Sequence, residues 1–143
     1  MERTATAVWT GSLKDGKGSI STPSGALQNS PYSFLTRFEN GKGTNPEELI
    51  AAAHAACFAM ALSAQLGTMN FTPQSLRATA TVALEKLDSG WTVTKSHLEL
   101  AAKIPGITAE AFDSAAQSAK ANCPISRLLK AEVTLNAHLE QAA

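Results

Sequence analysis

The sequence predicts an α+β fold in which antiparallel sheet packs around one long central helix. Three observations lead there. Asn45-Pro46-Glu47-Glu48 is a strong helix start: an N-cap asparagine, a proline at the first helical position, and a carboxylate at the third that can bond back to the cap. The stretch that follows, to Leu66, is nearly all small or apolar, interrupted only by His54, Ser63 and Gln65. Finally, residues 75–87 and 132–140 alternate apolar and polar side chains with period two, the mark of half-buried strands.

The elements follow in order. Residues 4–13 and 17–22 are expected as strands on either side of Lys14-Asp15-Gly16-Lys17, where Asp-Gly favours a hairpin. Ser24-Gly25 and Asn29-Ser30-Pro31 mark further turns, and the aromatic run Tyr32–Phe38 is expected as a strand carrying Arg37. The following Asn40–Thr44 stretch has a Gly-x-Gly without the spacing of a nucleotide-binding loop, and is expected to be a connection. The helix from Thr44 to Leu66 is apolar all round, so it should be buried all round. Its alanines let neighbouring backbones approach closely, which suggests a helix-helix or dimer contact.

After the helix, Ser75–Leu87 and Trp91–Ile104 are expected as paired strands turning at Asp88-Ser89-Gly90. Thr108 should cap a helix to about Ala121. Asn122-Cys123-Pro124 should break it and start a short helix, 125–130, before a last strand, Glu132–Glu140. The long helix must be covered on every side, and one three-stranded sheet cannot do that. A second subunit is a natural source of the missing cover.

Composition narrows the function. The 143 residues are enough for one domain with its own core, 1–143. Twelve Lys and Arg balance twelve Asp and Glu, which argues against an electrostatic nucleic-acid binder. The start of the chain lacks an apolar signal core, so a cytoplasmic location is expected. The central apolar run is long enough to raise a membrane span, but alanine adds little to insertion, His54 sits within it and no basic flank sets an orientation. No membrane insertion is expected.

Two cysteines in a reducing compartment are free or catalytic more readily than structural. Cys57 lies mid-helix, and Cys123 falls at the expected N-cap of the short helix, where free N–H groups favour a thiolate. Either could equally be an ordinary buried cysteine, which behaves as a small hydrophobe. His54, one turn before Cys57, is a possible base, though a hydrogen-bonded core histidine is the simpler reading. His97 and His138 lie on separate strands without ligand spacing, so no metal site is expected.

The stretch NPEELIAAAHAACFAMAL around Cys57, NCPIS around Cys123, Arg37 in FLTRFE and Trp9-Thr10-Gly11 resemble the OsmC (osmotically inducible protein C) and Ohr (organic hydroperoxide resistance) family of thiol peroxidases. The similarity runs over nearly the whole chain, and the place of the arginine resembles the OsmC branch. The resemblance implies an OsmC-like fold, with antiparallel sheets wrapped around the central helices of an intertwined homodimer and two active sites at the interface. It implies that Cys57 is peroxidatic, that Cys123 resolves it as a disulfide, and that the family's arginine and glutamate are Arg37 and Glu48. The substrate would be an organic hydroperoxide, with hydrogen peroxide reduced less well, in oxidative or osmotic stress. The reductant would be a dithiol such as dihydrolipoamide, and no cofactor is implied. A non-catalytic redox sensor with a Cys57–Cys123 disulfide is the alternative.

Burial among alanines and leucines should raise the Cys57 pKa, so a cation is needed to keep it ionised; Arg37 is the candidate, held by Glu48. Nine residues separate Glu48 from Cys57, placing them on roughly opposite faces and about 13.5 Å apart along the axis. The Glu48 near a given Cys57 is therefore expected from the partner chain. A capping role for Glu48 would compete with that one.

Overall fold

The computed structural model describes residues 1–141. The chain forms two compact units, 1–49 and 50–143. In the first, β1 (Thr6–Thr10), β2 (Lys17–Ser21) and β3 (Ser30–Tyr32) make an antiparallel sheet in that order. The β1–β2 turn is longer than Asp-Gly alone requires. Six residues, 11–16, bridge the strands, closed by the Gly16 N–H to the Ser12 carbonyl at 2.8 Å. Trp9 packs against Tyr32 with ring centroids 5.5 Å apart, over Gly18, where a Cβ would lie 2.3 Å from the Tyr32 ring.

The expected strand at Tyr32–Phe38 is corrected by the structure. Only Tyr32 remains in β3, and Phe34–Phe38 form a short helix, α1. Ser33 and Thr36 make a reciprocal capping box: the Ser33 hydroxyl accepts the Thr36 N–H at 3.3 Å, and the Thr36 hydroxyl accepts the Ser33 N–H at 2.9 Å. That local bonding outweighs the β preference of the aromatics.

The long helix α2 spans Pro46–Thr68. Asn45 caps it, its side-chain oxygen accepting the Glu48 N–H at 2.8 Å. In the second unit, β4 (Ser75–Leu87) and β5 (Gly90–Lys103) form a long antiparallel hairpin with a bulge between Ala83 and Leu84. Helix α3 (Ala109–Asn122), capped by Thr108, and α4 (Pro124–Leu128) then lead to β6 (Glu132–Glu140).

Strand β6 runs parallel to β5, where the sequence pattern suggests antiparallel pairing throughout. The connection explains it. Helices α3 and α4 carry the chain back along the sheet, so β6 starts beside Lys95 and runs the same way as β5.

The core of this unit is one cluster. It joins Phe58, Leu62 and Leu66 of α2, the inward residues Leu98, Leu100 and Ala102 of β5, and Phe112, Ala115, Ala116 and Ala119 of α3, with Cys123. Beyond Glu47 in its first turn, only a single i, i+4 stripe of α2 is buried: His54, Phe58, Leu62 and Leu66. The opposite face, including Ala52, Ala56, Met60 and Ala64, is exposed. One chain therefore leaves uncovered a helix whose composition calls for cover. By length and composition α2 could cross a membrane, and 22% of its apolar window is buried. It is nonetheless the helix on which the core of this unit is assembled.

Candidate active site

Cys57 and Cys123 come together although 66 positions separate them in the chain. Cys57 sits one residue before Phe58, at the edge of the buried stripe, and is half-buried. Cys123 closes α3 and opens α4, and is fully buried. Its N–H still donates to Ala119, while Pro124 begins the next helix and needs no donor partner. The two free thiols are close enough that each acts on the ionisation of the other.

Their proton affinities diverge. Burial pushes the Cys57 thiol up, the bond with Cys123 pushes it further, and the Ile125 N–H opposes both. At Cys123 burial also pushes upward. Bonds from Cys57, from the N–H groups of Ser126 and Ile125, and from the Ser126 hydroxyl together outweigh it and hold that thiol below its ordinary value. The two titrate as one unit, with hydrogen bonding favouring ionisation of Cys123 over Cys57 within a single chain. No cation contributes at either sulfur.

His54 is the core histidine that the sequence suggests. It is fully buried, with Nδ1 2.6 Å from the Ser96 hydroxyl and Nε2 2.7 Å from the Ser126 hydroxyl. Burial alone holds its pKa below the ordinary value. Neither serine is singled out by the sequence reading. The signal was present: Ser96 is the polar break in the inward face shared by Leu98, Leu100 and Ala102, as His54 is in the buried stripe of α2.

Arg37 lies in the last turn of α1 and is fixed at two points, through Nε to Glu47 Oε2 at 3.2 Å and Nη2 to Glu47 Oε1 at 2.8 Å. The expected partner was Glu48, and the structure corrects this to Glu47 of the same chain. Glu48, third in the helix, instead accepts from the Thr44 hydroxyl at 3.0 Å, and its N–H is held by Asn45. Asn45 decides between them: its amide also donates to the Thr36 carbonyl of α1 at 3.0 Å, tying the start of α2 to α1. Glu47 thereby meets Arg37 and is buried, whereas Glu48 is exposed. Two of the five guanidinium donors are used in the pair.

His97 and His138 lie on neighbouring strands beside Glu99. His97 Nε2 is 3.0 Å from the carboxylate and His138 Nε2 is 3.9 Å from it. The His97 bond, with one from Asn136, holds Glu99 below its ordinary value. Among the described residues no group of three His, Cys, Asp or Glu side chains could hold a metal ion.

This geometry can be compared with known proteins. Residues 39–138 match the OsmC-like protein family model. The peroxiredoxin OsmC of Escherichia coli (strain K12) is 56% identical over 134 residues, 94% of each chain. Among solved structures, an OsmC-like protein of unknown function from Vibrio cholerae superposes with a TM-score of 0.77 at 19% identity, covering 96% of this chain and 99% of that one. The organic hydroperoxide resistance protein OhrB of Bacillus subtilis gives 0.67 at 25% identity, covering 96% and 98%. With two thiols in contact on a matching fold, and with more than half of its residues shared with a peroxiredoxin, the chain belongs to the OsmC family.

Proposed function

We infer that the chain is a thiol peroxidase that reduces organic hydroperoxides, and hydrogen peroxide less well, through Cys57 and Cys123. The observation that carries this reading is the contact between a half-buried thiol and a fully buried one. Peroxide reaches Cys57 first. Its thiolate attacks the terminal oxygen, the O–O bond breaks, the alkoxide leaves as an alcohol after taking a proton, and Cys57 becomes a sulfenic acid. Cys123 then attacks that sulfur, forming the disulfide and releasing water. A dithiol such as dihydrolipoamide reduces the pair by exchange.

The difficulty is charge. Within one chain burial disfavours the Cys57 thiolate, so Cys57 needs a cation. Glu47, which holds Arg37, precedes Cys57 by ten residues of α2, about 15 Å of helix rise. We assign the cation to Arg37 of the partner subunit in a homodimer, with Glu47 as its anchor, and the uncovered face of α2 supports that pairing. A dimer that buries this face needs no membrane. The reading places the enzyme in the cytoplasm, whose reducing pools return both cysteines to thiols.

The test is consumption of cumene hydroperoxide with a dithiol donor. Cys57→Ser should abolish it, and Cys123→Ser should allow one turnover and then overoxidation of Cys57. An unchanged rate in Cys57→Ser would refute the assignment. Thiol loss no faster than that of a free cysteine, and not saturating with peroxide, would favour a redox sensor instead.

A further inference from the structure

Beyond the sulfur pair, the Ser126 hydroxyl acts on the Cys123 thiol and lies 2.7 Å from His54 Nε2, while His54 Nδ1 lies 2.6 Å from the Ser96 hydroxyl. Every member is wholly or partly buried, and no buried side-chain polar atom among the described residues lacks a partner. A line of this kind is more than packing requires, because a leucine would fill the His54 position in the same i, i+4 stripe at no desolvation cost. Its placement is also selective. It ends on Cys123, the sulfur that solvent does not reach.

We propose that Ser126 and His54 are a proton relay for Cys123, taking the thiol proton when Cys123 attacks the Cys57 sulfenic acid. The proposal rests on the resolving role assigned to Cys123 above. When Cys57 is the thiolate that attacks the peroxide, Cys123 enters the next step still carrying its proton, and a thiol is a poor nucleophile. With the Nδ1–H of neutral His54 donated to Ser96, Nε2 accepts the Ser126 hydroxyl and the Ser126 oxygen accepts the S–H while Cys123 is a thiol; once Cys123 is a thiolate, the one Ser126 hydrogen turns to the sulfur instead.

As the sulfur–sulfur bond forms, the Cys123 proton passes to the Ser126 oxygen and the proton of Ser126 passes to His54 Nε2. The S–O bond of the sulfenic acid breaks and its electron pair leaves with the hydroxide. The proton on His54 then returns through Ser126 to make water, and His54 is neutral again. Overall, sulfenic acid and thiol give disulfide and water. During reduction the same line returns a proton to Cys123 as it leaves the mixed disulfide.

The surroundings suit a transient rather than a resting charge. Strand β5 presents Ser96 to the imidazole and α4 presents Ser126. The two thiols are the titratable groups of the cluster, and no charged side chain contributes to His54, which burial alone keeps neutral. These are positioning and relay residues, since neither touches the peroxide.

Rapid-quench trapping after one equivalent of hydroperoxide separates the steps, with sulfenic acid captured by dimedone and disulfide read by mass spectrometry. In Ser126→Ala, disulfide formation near pH 6–7 should slow by about a hundredfold, so that sulfenic acid accumulates. The deficit should close toward pH 10, where Cys123 ionises without help. Ser126→Thr, which keeps the hydroxyl, should restore the rate, and His54→Gln should reproduce the loss and its pH dependence. Two results would overturn the relay: wild-type resolution in both Ser126→Ala and His54→Gln, or a loss equal at every pH, which marks a merely structural effect. Absence of sulfenic acid and disulfide in the unsubstituted protein would instead overturn the assignment of the pair, and the relay with it.

Discussion

At the sulfur pair, solvent access and proton affinity point to different cysteines. Cys57 is the less buried of the two, while hydrogen bonds hold the Cys123 thiol below its ordinary value against the effect of burial. The guanidinium proposed above would reverse the order. Arg37→Gln should therefore lower kcat/KM for hydroperoxide by about a hundredfold and move its pH profile upward, measured by steady-state kinetics across pH. His54 gives a separate prediction on stability. Its folded pKa lies below the ordinary value, so between the two the unfolded chain binds more protons than the folded one. Its contribution is present above about pH 6.5 and is lost as pH falls toward the folded pKa. Denaturant titrations should show stability declining over that acid window, with the slope reduced in His54→Gln.

Among the elements, the junction of α1 and α2 is the most instructive. Asn45 bonds both the Thr36 carbonyl and the Glu48 N–H, and this sends Glu47 rather than Glu48 to Arg37. Glu47→Gln should weaken catalysis through the loosened guanidinium, whereas Glu48→Gln, which still offers Thr44 an acceptor, should remain close to wild type. Peroxidase assays of the two variants side by side decide the assignment. The position of the carboxylate pair was legible in the sequence, but the choice within it was not. Adjacent residues on a helix differ by about 100° in direction, and only the packing of α1 says which direction matters. Phe34–Phe38 was missed for a related reason: its aromatics favour a strand, and a Ser33–Thr36 capping box decides for a helix. The long helix, the β4–β5 hairpin and α3 were legible because cap, period and turn agreed there. Parallel pairing of β6 depends on how the two helices return the chain, which periodicity does not encode. In the core, Phe58→Ala should cost about 3–5 kcal/mol in denaturant titrations, since its side chain is fully enclosed.

For the whole molecule, the telling feature is what one chain leaves bare. The α2 face with Ala52, Ala56, Met60 and Ala64 is exposed, Met60 to 75%, on a helix whose apolar composition the sequence reads as buried on every side. On the proposed assignment, a second subunit on that face satisfies the composition and brings its Arg37 to Cys57. Met60→Glu should then shift sedimentation from dimer toward monomer and lose peroxidase activity in parallel. The central claim is narrower than the dimer and can be tested at the sulfurs alone. Wild-type protein, fully reduced and mixed with one equivalent of cumene hydroperoxide, should yield one intramolecular Cys57–Cys123 disulfide on peptide mapping, preceded by a sulfenic acid on Cys57 only. A sulfenic acid appearing first on Cys123, or a disulfide joining Cys57 residues of two chains, would contradict it.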